Sequence, residues 1–293
     1  MRRNLVAAAA LAACLTGAES RALDVDPCLA GVGENESAIE LCGYSSGCCA
    51  AAGPVVTFDV DFLFMKYYQS GGVQSSDAGE IIGGGDNAEF DFSLSPRFTL
   101  GVETCDGLGA RVRYWFFDET ARTADNSGFV SVDAYTFDAE IFKRVQLGRS
   151  TTIEGFGGVR WSEFNLDDDT DLDWRVDGVG LTTGFEISHY LTCNHRLYAG
   201  TRLAVVVGDA LLADNGDLDD STGLGVSNTQ LQVELAAGYE GKTNLGRGVT
   251  MVYGAGAELH NWSDAAIKAD ASDEAYLTDS GFAGFTFRLG AEY

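Results

Sequence analysis

Ten stretches of this chain alternate apolar and polar residues with period two, and the connectors between them alternate long and short without exception. The stretches are 57–68, 88–103, 109–118, 129–143, 151–163, 176–189, 196–207, 228–240, 249–259 and 282–293. The connectors run 19, 5, 10, 7, 12, 6, 20, 8 and 22 residues. Period two is the mark of a strand, because successive side chains point to opposite faces. Sorted connectors mark an antiparallel up-and-down barrel across a membrane, with short periplasmic turns and longer external loops. A soluble Greek-key sandwich has no reason to sort its loops that way. The predicted fold is all-β, a transmembrane barrel of about ten strands.

The alternation also assigns faces. In the last stretch Ala283, Phe285, Phe287, Leu289, Ala291 and Tyr293 oppose Gly284, Thr286, Arg288, Gly290 and Glu292. In AEFDFSLSPRFTLGVE the even positions from Phe90 to Val102 are apolar, with Pro96 among them. A proline cannot donate to a ladder, so a bulge is expected there. The polar faces carry Asp59, Asp61, Glu89, Asp91, Glu103, Asp138, Glu140, Glu154, Glu186, Glu234, Glu240, Glu258 and Glu292. Against these 13 acids stand six arginines: Arg97, Arg111, Arg113, Arg160, Arg202 and Arg288. In a membrane barrel this charged set lines the interior and the apolar set meets lipid. Lys66, Asp133 and Asp177 are exceptions on the apolar face near strand ends. Tyr68, Phe90, Phe116 and Trp161 fall near the long-loop rim, and Phe58, Tyr239 and Tyr293 near the other. Two such rings are the expected interfacial girdles.

The N-terminus reads as an export signal. Residues 1–22 hold two early arginines, an apolar run and small residues before a cleavage point after Ala22. The alternative takes LAAC, Leu11–Cys14, as a lipoprotein box with Cys14 lipidated. No later stretch has the ~18 consecutive apolar residues of a spanning helix. Residues 23–54 form a Cys-rich periplasmic extension or plug, and 55–293 the barrel. A formal charge of −25 and a pI near 4.2 exclude nucleic acid as a partner, since phosphates demand a basic surface.

Cys28, Cys42, Cys48, Cys49, Cys105 and Cys193 all fall on the periplasmic side of this topology. Disulfides are expected there, because regular Cys-x2-Cys pairs and nearby histidine ligands are lacking. Cys105 and Cys193 are too far apart around the barrel to bridge each other, so each is expected to bond to the N-terminal segment.

The long connectors hold 20 Asp or Glu against Arg122, Arg175 and Lys268. DDDTDLD is the densest run, and Asp167, Asp169, Asp171 and Asp173 are a weak metal candidate without EF-hand spacing. A solvated, self-repelling loop is the plainer reading. Divalent-cation bridging to lipopolysaccharide phosphates is a further reading.

Three histidines allow little catalysis. His189 and His195 flank a short turn, and His260 lies at the outer end of a strand with Ser263 and Asp264 nearby. The chemistry a nucleophile or activated water needs is present there in outline only, and a surface histidine in a polar loop is the plainer reading. No catalytic motif such as GxSxG or HExxH occurs. An enzyme is not expected.

VTFDVDFLFMKYY (Val56–Tyr68), FSLSPRFTLGVETCDGLGARVRYWFFD (Phe92–Asp118), EGFGGVRW (Glu154–Trp161) and VDGVGLTTGFE (Val176–Glu186) share their glycine and aromatic spacing with a known group. In this the chain resembles outer-membrane barrels of planctomycetes, which are similar to the Legionella-type pore-forming major outer-membrane protein family. The resemblance spans 55–293 and implies a surface-exposed, pore-forming barrel with no cofactor. The function expected is an outer-membrane pore or a structural protein, in contact with lipid, lipopolysaccharide and small ions or solutes. A pore is expected to be small and cation-preferring, because its interior carries 13 acids against six arginines and its outer mouth a further acidic excess. The alternatives are a closed barrel displaying acidic loops for adhesion or cation contact, and an outer-membrane hydrolase.

Overall fold

The computed structural model describes residues 53–70, 73–74, 87–122, 128–168, 172–214, 224–269 and 275–293. The signal, the extension 23–52 with Cys28, Cys42, Cys48 and Cys49, and the acids Asp169 and Asp171 lie outside the described residues. The strands are β1 (Val55–Gln69), β2 (Val73–Gln74), β3 (Asn87–Ala88), β4 (Ser93–Glu103), β5 (Leu108–Arg122) and β6 (Phe129–Gln146). They continue with β7 (Thr151–Asp168), β8 (Leu172–Thr192), β9 (His195–Asp214), β10 (Leu224–Gly246), β11 (Val249–Ala269) and β12 (Ala275–Glu292). β2 pairs only with β3. The other ten close in chain order into an antiparallel barrel.

Closure is complete. β1 pairs with β4 on one side and with β12 on the other, from Thr57↔Glu292 to Gln69↔Ser280. Val56 and Tyr293 exchange backbone hydrogen bonds of 2.8 and 2.9 Å. No edge strand is left in the barrel, which is the condition for strands to sit in hydrocarbon.

The outer surface is a continuous apolar belt. Leu181 is 73% exposed, Ile141 65% and Phe285 59%, and every barrel strand contributes such residues. Water would not tolerate a girdle of this size on a monomer, so the belt faces lipid. Trp161 marks the belt's limit at the loop end, where Glu163 and Asn165 follow it on the same face of β7. At the other limit Phe58, Tyr239 and Tyr293 stand exposed as expected.

Three local expectations change. The second barrel strand begins at Ser93, because 87–88 are taken by the small ladder with 73–74. When the chain re-enters the barrel its parity inverts: Ala88 and Phe90 turn inward and are buried, while Glu89 and Asp91 are exposed. Phe90 is therefore not a girdle residue. Nor does Pro96 make a bulge. β1 and β4 pair through it without a register shift, the β4–β5 ladder starts one residue later at Arg97, and the Ser95 hydroxyl donates to the Phe116 carbonyl at 2.6 Å. Finally, the strands overshoot the predicted segments at the loop end, so that Asp167 and Asp173 are backbone partners in the β7–β8 hairpin.

A barrel this narrow brings neighbouring backbones close on its concave side. A Cβ placed on Gly284, which faces inward on β12, would stand 1.9 Å from the Phe64 carbonyl oxygen. Gly284→Ala is thus expected to lower the unfolding free energy by about 1–3 kcal/mol, read as a lower urea midpoint for loss of the folded, heat-modifiable gel band. An unchanged midpoint would show that the β1–β12 seam gives way.

Candidate functional site

The interior divides into two layers. At the short-turn half, arginines and carboxylates from all ten barrel strands interlock. Arg97 of β4 donates to Asp61 of β1 at 2.8 Å and holds Glu258 of β11 by two 2.7 Å bonds. Asp61 also accepts from Arg288 of β12 at 2.7 Å, and Arg288 reaches Glu240 of β10 at 3.1 Å. Glu240 takes Arg196 of β9 at 2.8 Å, which lies 3.4 Å from Glu186 of β8.

A second chain of pairs fills the other side. Arg160 of β7 grips Asp138 of β6 at 2.7 and 2.8 Å and donates to Glu234 of β10. Arg113 of β5 approaches Glu234 at 3.3 Å. Arg202 of β9 joins Glu234 to Glu140 at 2.9 Å each. Arg111 then links Glu140 to Glu154 at 2.7 and 2.6 Å, and Arg144 links Glu154 to Glu103 at 2.8 and 2.9 Å. Phe156 lies between the Arg111 and Arg202 guanidiniums, 4.7 and 4.6 Å from its ring centre. These are charge-assisted contacts with arginine's fork geometry, in which most carboxylates are shared by two cations.

Inward placement therefore holds for Asp59, Asp61, Arg97, Arg111, Arg113, Asp138, Glu140, Glu154, Arg160, Glu186, Arg202, Glu234, Glu258 and Arg288. It fails for Glu89 and Asp91, which lie outside the strand. Glu89 instead pairs with Lys66 at 3.1 Å. The sequence reading also missed Arg144, Arg196 and Lys242, which face inward on β6, β9 and β10. Arg144 and Lys242 lie just past the predicted strand ends, where an extension of the same parity finds them, whereas Arg196 opens the predicted stretch 196–207 on the same parity as Arg202 and was passed over. With these three cations added and two acids removed, the lumen is close to charge balance.

Above this layer the inward face is dominated by apolar side chains, with Gln230, Ser280 and a few other small polar groups among them. Leu63, Met65 and Tyr67 of β1, Trp115 and Phe117 of β5, Phe164 of β7, Trp262 of β11 and Phe282 of β12 are all buried, and Phe90 closes over them. Phe282 sits at the centre, with ring centres 5.0 Å from Phe117, 5.3 Å from Trp115 and 5.9 Å from Trp262. Trp174 of β8 donates its indole N–H to the Ala265 carbonyl of β11 at 2.9 Å, so its side chain crosses the interior.

His260 belongs to this boundary, not to a surface loop. It is 2% exposed, packs on Trp115 at 5.0 Å and sets Nε2 3.3 Å from Glu258. Ser263 accepts the Leu231 N–H at 2.8 Å, which occupies its hydroxyl in a strand contact. His189 and His195 stand at the short-turn end, bonded to Thr151 at 3.1 Å and Tyr239 at 2.5 Å. Among the described residues no group of three or more His, Cys, Asp or Glu is arranged to hold a metal ion.

The lumen opens at the short-turn end as a vestibule of about 170 Å³, bordered by Asp59, Arg196, Lys242 and Glu292 among others. Around its rim stand Lys143, Arg149 and Arg247, all exposed. The Thr104 hydroxyl and the Lys143 ammonium, 3.0 Å away, hold the Asp106 carboxyl of the β4–β5 turn down to about 2.

At the loop end, past the belt, outward-facing acids line up across strands. Asp118 pairs in register with Asp133, Glu163 with Asp177, and Asp177 with Asp209. This collar sits above Tyr114, Tyr135 and Trp161, at the height of outer-leaflet headgroups.

No protein-family model matches the sequence, and no curated protein is significantly similar to it. Solved outer-membrane barrels are similar in outline. The outer-membrane protease OmpT of Escherichia coli aligns over 83% of this chain and 97% of its own, with 9% identity and a TM-score of 0.45. The translocator domain of the autotransporter NalP of Neisseria meningitidis aligns over 85% and 91%, with 14% identity and a TM-score of 0.45. Ail of Yersinia pestis aligns over 83% and 100%, with 9% identity and a TM-score of 0.34. Likeness at this level carries no functional argument. The closed barrel, its apolar belt and its polar, filled interior are themselves the features of an integral outer-membrane protein.

The ion-pair layer should behave as a unit. Arg97→Met leaves Asp61 and Glu258 buried without their shared cation and is expected to cost about 3–5 kcal/mol. Adding Glu258→Gln should recover part of that loss, read as urea midpoints of the gel-shifted folded form. A double variant no better than the single would mean that the charge of Glu258 is balanced by other groups, His260 among them.

Proposed function

We propose that the protein is a closed outer-membrane barrel whose activity lies on its outer surface rather than in a passage. The observation that carries this is the burial of the interior at mid-height. Asp138 and Arg160 are 0% exposed, as are Gln232 and Phe282, and they come from four different strands. A water-filled channel would leave axis-facing side chains accessible, as in wide porins, whereas ten strands enclose so little that side chains fill the space.

On this reading the collar is the working surface, with Asp118, Asp133 and Asp209 exposed and Glu163 and Asp177 half-buried against Arg175. It is placed to meet lipopolysaccharide phosphates through divalent cations, or to serve in adhesion. The second reading is a small pore, cation-preferring because the long connectors at its outer mouth carry 20 acids against three cations. The vestibule favours it, because the short-turn end already opens on a cavity of about 170 Å³. Conduction would then need both the ion-pair layer and the aromatic layer to move aside.

Planar-bilayer recording separates the two. No conductance steps are expected from the pure, folded protein, and steady steps with a cation reversal potential would establish the pore. For the surface, Asp118→Asn, Asp133→Asn and Asp177→Asn together should reduce co-purifying lipopolysaccharide in magnesium, with no difference from wild type in a chelator. Equal retention in magnesium would remove the collar from the account.

A further inference from the structure

We propose that the short-turn vestibule is a binding site for a small organic cation bearing primary amines, of the size of an aliphatic diamine, with Asp59 as its anchor. Pairing supplies the first argument. With Glu89 and Asp91 removed from the 13 acids read into the lumen, 11 remain, and Arg144, Arg196 and Lys242 raise the six arginines to nine cations. All nine cations stand in ion pairs within this layer, and so do ten of the carboxylates. Asp59 is the eleventh. Among the described residues it makes no ion pair and no hydrogen bond, although it is half-buried and lines the vestibule. Of the charged groups that act most strongly on it, only Arg288 is a cation, and Asp61, Glu240 and Glu292 are acids. The Arg288 fork is already turned to Asp61 at 2.7 Å and Glu240 at 3.1 Å. A carboxylate held out of bulk water in a negative field is costly without a counter-charge, and an ammonium from solution supplies one.

Shape supplies the second argument. Asp59 pairs in register with Gly290 of β12 and Thr99 of β4. A Cβ at Gly290 would stand 1.9 Å from Asp59 Oδ1, so the carboxylate lies in the space that this glycine leaves open. Tyr198 lays its phenol across Gly238 and Gly256, where a Cβ on either would come 2.7 Å from its hydroxyl. That hydroxyl makes no hydrogen bond among the described residues and borders the same cavity, so it offers a second, neutral acceptor. The cavity of about 170 Å³ equals roughly five or six waters at ~30 Å³ each, the bulk of a chain of about six non-hydrogen atoms.

Other occupants fit less well. A divalent metal ion needs several oxygens converging on one point, and among the described residues no three metal-binding groups are so arranged. An anion would have to take an arginine from a carboxylate that already holds it. The site rests on neither reading of the bore, because it is reached from the short-turn side.

The test is calorimetric titration of the full mature chain, folded in detergent as judged by the heat-modifiable gel band, with 1,4-diaminobutane. 1,4-Butanediol and succinate serve as neutral and anionic compounds of the same length. Saturable binding of the diamine alone is expected. Asp59→Asn keeps the shape and removes the charge, and should weaken that binding about ten- to a hundredfold, as the loss of one charge-assisted hydrogen bond does. Because Asp59 has no partner to lose, the same variant should keep or raise the urea midpoint, which separates lost binding from lost fold. The exposed acids are controlled for by Asp118→Asn, Asp133→Asn and Asp177→Asn together, which should bind the diamine as wild type does. The proposal is overturned if the diamine does not bind saturably, if the diol or succinate binds as tightly, or if Asp59→Asn binds unchanged. It is overturned equally if the collar variant loses the binding instead, or if Asp59→Asn lowers the midpoint, since Asp59 would then already have a partner in the folded chain.

Discussion

A backbone N–H or carbonyl in hydrocarbon has no water to turn to, and the rest of this structure follows from that. It requires every strand to be paired on both sides, hence the β1–β12 seam and the exchange between Val56 and Tyr293. With only ten strands, closure leaves a narrow bore. Neighbouring backbones crowd on the concave side, and Gly284 is one place where a side chain would strike the next strand. A narrow bore in turn has to be filled, because a void wider than a water molecule would forfeit packing along its whole length.

What fills it differs by height. The charged layer is costly to desolvate, and burying arginine with carboxylate is weak evidence for stability as such. Its value here is in register. Arg97 touches β1 and β11, Arg160 touches β6 and β10, and Arg202 touches β6 and β10 as well. A slip of one residue in any of these strands would send its charged side chains to the lipid face, where a charge costs about 2–4 kcal/mol at the midplane. The aromatic layer has no such selectivity but excludes water more completely. It puts the Tyr67 hydroxyl on Ser280 at 3.0 Å and seals the bore with edge-to-face rings.

The strands, their order and the lipid-facing set were legible in the sequence because one face of each strand is apolar away from its ends, from Phe58 to Phe64 or from Leu231 to Tyr239. The ionic half of the interior was legible for the same reason: polar residues there contrast with their neighbours. The aromatic half was not. In Arg113–Phe117 the inward Trp115 and Phe117 stand between the outward Tyr114 and Phe116, so both faces read apolar and the period vanishes. His260 was misplaced because the polar Asn261, Ser263 and Asp264 follow it, which looks like a loop, while β11 continues through it to Ala269. Phe90, Glu89 and Asp91 kept the right alternation but the wrong parity. A two-residue ladder between Val73–Gln74 and Asn87–Ala88 resets the phase, and no local pattern announces it.

The two layers together decide how readily the bore opens. A passage along the axis must part Arg97 from Glu258 and Arg160 from Glu234, since these pairs are buried and bridge different strands. Breaking one buried pair costs about 3–5 kcal/mol, so two independent breaks cost roughly 6–10 kcal/mol. At about 1.4 kcal/mol for each factor of ten, the open fraction falls to roughly one in ten thousand or less. Phe282 and Trp115 must move as well; both are buried in the aromatic layer, whose Tyr67 packs on Phe90 at 5.1 Å. On the closed-barrel reading proposed above, this free energy is what keeps the bore shut at rest.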